Sequence, residues 1–206
     1  MQKFLNKIPV IPILNTPSLQ DAELAASALI EGGCKAIEIV LRTPNSLSIL
    51  EHLVKKFTDT SIGAGTITSV DLFKQAYDKG AEFFVSPGID DSVIALVKEL
   101  DVHYLPGAAT PSEIMYLQNL GFNTLKIFPV NFLGGAPYIR QISSVFPLLS
   151  FCPTGGIALN NIKEYAQLHN VISVGSSWPT AEEVVNKKEF RQISERYLKL
   201  SDSFIK

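Results

Sequence analysis

Eight times along this chain a short apolar or β-branched run closes on Gly, Pro, Thr or Asn, and helix-patterned segments fill the stretches between. The runs are PVIPIL (9–14), AIEIVLR (36–42), SIGAGT (61–66), FFVSPG (83–88), VHYLPGA (102–108), TLKIFP (124–129), LLSFCPTG (148–155) and VISVGSS (171–177). Segments such as SLQDAELAASALIEGG, NSLSILEHLVKKF, SVDLFKQAYDKG, DDSVIALVKEL and TPSEIMYLQNLG place apolar residues at i, i+3, i+4 behind a Ser, Asn, Asp or Thr cap. Strands that are apolar throughout have both faces covered, which predicts parallel neighbours joined by crossover helices. Eight such units in 206 residues predict a compact (β/α)8 TIM barrel, with an open doubly wound sheet as the alternative. With 46% hydrophobic residues and no linker, the chain reads as a single domain over 1–206. Its tail, KKEFRQISERYLKL, is one further amphipathic helix with Phe190, Ile193, Tyr197 and Leu200 along a face, expected to pack on its own barrel or on a neighbouring subunit.

Such a barrel does its chemistry at the carboxyl ends of the strands, so charged residues inside strand runs are the informative ones. These are Glu38 and Arg42 on the second run and Lys126 on the sixth. Side chains alternate along a strand, so Glu38, Val40 and Arg42 share one face and Ile37, Ile39 and Leu41 the other. The all-apolar face meets the helices, which turns Glu38 and Arg42 inward. The same parity puts Lys126 with Phe128 inside and Leu125 with Ile127 outside. A buried Lys–Glu pair with a purely structural role is poorly motivated, because apolar packing would often be no less stable. A lysine in this position suits nucleophilic attack on a ketone, which needs the neutral amine, with Glu38 shuttling protons and the planar fork of Arg42 clamping a carboxylate.

Two further stretches fit an anionic small molecule. Thr66, placed inward by parity with Ile62 and Ala64, follows the glycines of GAGT, which leave room for a ligand near the backbone. CPTGGI and VGSSW end the seventh and eighth runs, where this fold commonly holds a phosphate. Neither carries a basic residue, which suggests backbone amides and a serine hydroxyl as the binding groups.

Other functions have little support. Eighteen basic against 20 acidic residues leave no basic stripe for nucleic acid. Cys34 and Cys152 form no C-x-x-C pair, and His52, His103 and His169 are scattered without metal-ligand spacing, so no metal site is expected. The opening MQKFLNKIPVIPIL is too short and proline-broken for a leader, and no apolar run approaches membrane-spanning length. A cytoplasmic location with no membrane partner is expected.

AIEIVLRTP, IGAGTI, FFVSPGI, YLPGAATPSE, LKIFP, FCPTGGI and VGSSW, in this order across nearly the whole chain, resemble the successive motifs of the bacterial 2-dehydro-3-deoxy-6-phosphogluconate (KDPG) and 4-hydroxy-2-oxoglutarate (KHG) aldolases. The resemblance implies a homotrimeric class I aldolase without metal or organic cofactor, acting on a 2-oxo acid and a phosphorylated aldehyde. It implies Lys126 as the Schiff-base lysine and Glu38 as the acid/base. Arg42, Thr66, Pro87 and Phe128 become contacts of the pyruvate end, and Gly155, Gly156, Ser176 and Ser177 contacts of the phosphate. Departures from the family pattern fall at Val40, at Val130, Asn131 and Phe132, and at Ser176. The related 6-phosphogalactonate aldolases usually read I-L-R-G on the first strand, where this chain has ILNTP. Alternatives of other kinds are a sugar-phosphate epimerase or isomerase and a non-catalytic phosphosugar-binding barrel.

Overall fold

A computed structural model describes residues 1–204. Its strands are β1 (Val10–Leu14), β2 (Ala36–Val40), β3 (Ser61–Gly65), β4 (Phe83–Val85), β5 (His103–Leu105), β6 (Gly107–Ala108), β7 (Thr124–Ile127), β8 (Ser150–Pro153) and β9 (Val174–Ser176). The helices before β6 are α1 (Gln2–Leu5), α2 (Leu19–Glu31), α3 (Ser46–Lys56), α4 (Val70–Asp78) and α5 (Asp91–Leu100). Those after it are α6 (Pro111–Asn119), α7 (Gly135–Val145), α8 (Ile162–Ala166), α9 (Glu182–Asn186) and α10 (Phe190–Phe204). Side-chain caps set several of the helix starts. Ser18, Ser69 and Asp90 each accept from the backbone N–H three residues on, and Thr110 with Glu113 closes a reciprocal capping box.

All strand pairings are parallel, in a six-stranded sheet ordered β5-β4-β3-β2-β1-β9 and a three-stranded sheet ordered β6-β7-β8. Isolated parallel bridges, Phe151 to Val171 and Thr154 to Gly175, run from β8 to the β9 segment. The fifth apolar run, expected as one strand, is divided between the two sheets at Pro106. Proline has no N–H to give to a ladder, although its carbonyl still accepts from Lys126 N at 2.9 Å.

Strand alternation sorts the buried side chains into two layers. Ile37, Ile39, Ile62, Ala64, Leu125 and Ile127 belong to the large core that the strands share with the helices. A smaller cluster of Leu5, Ile8, Ile11, Ala36, Phe83, Val85, Leu105 and Cys152 fills the opposite side of the strands. The short helix α1, which no sequence pattern announced, covers this cluster, with the Phe4 ring centroid 5.3 Å from those of Phe83 and His103. At the other terminus α10 buries Ile193, Tyr197, Leu200 and Phe204 and packs on α2 and α8 of the same chain. No helix among the described residues is long and apolar enough to cross a membrane.

Candidate active site

Lys126 stands third in β7, in register with Gly107 on one side and Cys152 on the other, and is only 4% exposed. Its Nζ lies 3.9 Å from Oε1 of Glu38, itself 3% exposed, and 4.9 Å from the centroid of the Phe128 ring. The buried amine thus has one carboxylate and one aromatic face as its close neighbours. Room for the Glu38 carboxylate comes from β3, since a Cβ built on Gly65 would fall 2.0 Å from Oε1. At Gly63 a Cβ would fall 2.4 Å from the Phe83 ring. Any side chain at these two positions would have to push the carboxylate or the ring away.

The cysteine beside Lys126 offers no competing nucleophile. Burial pushes the Cys152 thiol up to about 12, against a smaller opposing pull from Lys126, so it stays protonated. Among the described residues no three His, Cys, Asp or Glu side chains stand close enough to hold a metal ion.

Glu38, Lys126, Val40, Arg42 and Phe128 line a cavity of about 330 Å³, whose far wall carries Gly155, Gly156 and Ser177. Arg42 is exposed, two residues beyond the end of β2, and its Nε donates to Thr66 Oγ1 at 3.1 Å. The parity reasoning for Thr66 needs correction. Ile62 and Ala64 face the helices, and the inward positions of β3 are Gly63 and Gly65. Thr66 meets Arg42 after a break in alternation, with a left-handed φ of 68° that a β-branched residue rarely adopts. Pro87 is half-buried and does not border the cavity; a Cβ on Gly107 would fall 2.4 Å from its carbonyl oxygen, so the two backbones touch.

At the far wall Ser177 is exposed to the cavity, whereas Ser176 is 1% exposed and turned away. The Ser176 hydroxyl donates to the Ile157 carbonyl at 2.6 Å and accepts from Trp178 N at 3.1 Å. Val130 is buried, Phe132 is 92% exposed, and Asn131 reaches the Gly156 carbonyl with its side-chain amide at 2.6 Å. Several lining residues escaped the sequence reading: Ile13, Asn15, Thr154, Thr180, Ala181 and Glu182. Thr154 could have been found by alternation from Cys152. Glu182 opens a helix far along the chain from the other charged residues, and no local pattern marks it.

A parallel α/β protein with a lysine and a carboxylate buried together inside its strands, beneath a cavity that an arginine borders, has the groups that imine chemistry on an acidic carbonyl compound calls for. The model of the KDPG and KHG aldolase family matches residues 1–196, and the chain belongs to this family. It is 35% identical over 184 residues to the 2-dehydro-3-deoxy-phosphogluconate aldolase of Pseudomonas aeruginosa, covering 89% of this chain and 84% of that protein. Among solved structures it is similar to the KDPG aldolase of Legionella pneumophila with pyruvate captured at low pH as a covalent carbinolamine intermediate. There the TM-score is 0.93 and the identity 37%, over 97% of each chain. It is also similar to the 2-keto-3-deoxy-6-phosphogluconate aldolase of Zymomonas mobilis with 3-phosphoglycerate, with a TM-score of 0.88 and 31% identity over 97% of this chain and 94% of that one.

Proposed function

We propose that this chain is a class I aldolase that reversibly cleaves 2-dehydro-3-deoxy-6-phosphogluconate to pyruvate and glyceraldehyde 3-phosphate, and more slowly 4-hydroxy-2-oxoglutarate to pyruvate and glyoxylate. The observation that carries this reading is the buried amine of Lys126 at 3.9 Å from the Glu38 carboxylate, under a cavity that Arg42 borders. Lys126 Nζ attacks the C2 ketone, and Glu38 passes protons to the departing oxygen, so that carbinolamine loses water to form a cationic imine. Removal of the C4 hydroxyl proton then breaks the C3–C4 bond, with the electron pair flowing into the imine. Glyceraldehyde 3-phosphate leaves with its new aldehyde carbon. The enamine takes a proton at C3, and water hydrolyses the imine to pyruvate and free lysine. Arg42 and Thr66 hold the carboxylate, while backbone amides of the Gly155–Gly156 turn and the Ser177 hydroxyl receive the phosphate.

The parallel sheets read as one eight-stranded (β/α)8 barrel of a single domain, with β5 and β6 as one strand interrupted at Pro106 and the bridge from Thr154 to Gly175 as the closing contact. Support comes from the small apolar cluster, which packs inside the ring that such closure makes. The enzyme is further read as cytoplasmic, from its opening residues and the lack of a membrane-length apolar run, and as a homotrimer on the family resemblance alone; light scattering giving three times the chain mass tests the trimer.

The deciding experiment is borohydride trapping. Pyruvate plus borohydride should inactivate the protein irreversibly and modify the peptide containing Lys126, and Lys126→Ala should fold yet lose at least roughly 10³-fold in kcat. Modification at another lysine, or an active alanine variant, rejects the assignment. An epimerase, an isomerase or a phosphosugar-binding barrel would give no trapped adduct.

A further inference from the structure

The far wall of the cavity is held by a side-chain chain that the reaction itself does not use. Tyr165, 1% exposed, donates through its hydroxyl to Asn131 Oδ1 at 3.0 Å. Asn131 in turn donates through Nδ2 to the Gly156 carbonyl at 2.6 Å, and Asn161 Nδ2 donates to that same carbonyl at 2.9 Å. The Asn131 backbone N–H also donates to the Gly155 carbonyl at 3.2 Å. Asn131 therefore pulls two successive carbonyls of the turn toward itself. A trans peptide points its N–H opposite to its carbonyl, so the N–H groups of Gly156 and Ile157 are turned away from Asn131. Among the described residues neither N–H finds a protein acceptor, although Ile157 is only 2% exposed. An amide in a residue as buried as Ile157 is rarely left without a partner, and Gly156 beside it is exposed and lines the cavity, so an external acceptor can reach the turn. The turn itself is one that only glycine adopts easily, with φ of 103° at Gly155 and 79° at Gly156. It abuts Asn131 so closely that a Cβ on Gly156 would fall 2.3 Å from Asn131 Nδ2.

We propose that Asn131, held by Tyr165, is a positioning residue for the distal end of the substrate: it orients the Gly155–Gly156 turn so that the amides of Gly156 and Ile157 face the phosphate. The inference rests on the phosphate reading of that wall. Without the Asn131 amide the Gly156 peptide can rotate, and a two-glycine turn has little intrinsic preference to prevent it. The loss falls on phosphorylated substrate and leaves the lysine chemistry intact, because Asn131 does not border the reacting carbons.

The test compares wild-type protein with Asn131→Ala, Asn131→Asp and Tyr165→Phe, using KDPG, unphosphorylated KHG and inorganic phosphate as a competitive inhibitor. Asn131→Ala should raise KM for KDPG and the phosphate inhibition constant together, by roughly tenfold or more, while kcat/KM for KHG stays within about twofold. Asn131→Asp should be worse on KDPG than alanine, since a carboxylate cannot donate to the Gly156 carbonyl and repels the phosphate. Tyr165→Phe should shift the same two constants by a smaller factor, about threefold, and serves alone if the Asn131 variants fail to fold. Phosphate inhibition in the wild type with both constants unchanged in the Asn131 and Tyr165 variants overturns the positioning role while leaving the phosphate site standing. Equal losses on KDPG and KHG overturn it too, as a general packing effect. A wild type that phosphate does not inhibit, and that cleaves both substrates equally well, overturns the phosphate reading and this role with it.

Discussion

Lys126 and Glu38 are buried together beneath a cavity that Arg42 also lines, and the division of labour between these charged groups follows from where each stands. Glu38 is buried against Gly65 and close to the amine, so it is placed to move protons in several steps. Arg42 lies at the exposed rim with Thr66 fixing its Nε, which suits holding a carboxylate. Glu38→Gln should therefore cut kcat by roughly 10²-fold or more with substrate binding still measurable. Arg42→Lys should raise KM for pyruvate in the synthetic direction at least as much as it lowers kcat, because an ammonium cannot reproduce the bidentate fork. Steady-state kinetics in both directions check the pair, and equal, purely kcat defects in the two variants would reject the division.

Among the elements, α1 is the one whose role is least apparent from its length. Four residues make a poor helix alone. Yet Leu5 is fully buried in the cluster with Ile8, Ile11 and Phe83, so its stability comes from the side chains it inserts rather than from its own hydrogen bonds. Leu5→Ala should lower unfolding stability by about 2 kcal/mol or more, read as a fall in the thermal midpoint of roughly 5 °C or more. Pyruvate trapping at Lys126 should survive, since α1 covers the face of the cluster near the start of β5, whereas the site lies at the strand ends. A midpoint unchanged within error would mean that α1 adds nothing to the core.

For the molecule as a whole, the two cysteines report how completely the core excludes solvent. Burial pushes the Cys34 thiol, like that of Cys152, up to about 12, and both side chains are buried. An alkylating reagent that attacks only the thiolate should leave both unmodified in the native protein near about pH 8, and modify both once urea unfolds the chain. Intact-mass analysis reads the count directly. Rapid native modification at Cys152 would show that the core around the register partner of Lys126 opens to the reagent in the folded protein.

The alternation of apolar runs and capped amphipathic segments was legible in the sequence because period-two and period-3.6 patterns are local. Each strand run found its element, and Lys126, Glu38, Val40 and Phe128 could be assigned to one face from parity alone. Parity failed at Thr66, where the left-handed backbone that lets it meet Arg42 is a departure no alternation rule can anticipate. The split at Pro106 and the burial of α1 likewise depend on how separate segments compete for the same ladder and the same core. Glu182 at the cavity wall, and the reach of Tyr165 across 34 residues to Asn131, were decided only when the helices packed. Contacts of that kind join residues with no common periodicity, so the sequence by itself determines which faces are buried, and the tertiary structure alone determines which polar groups meet at their edges.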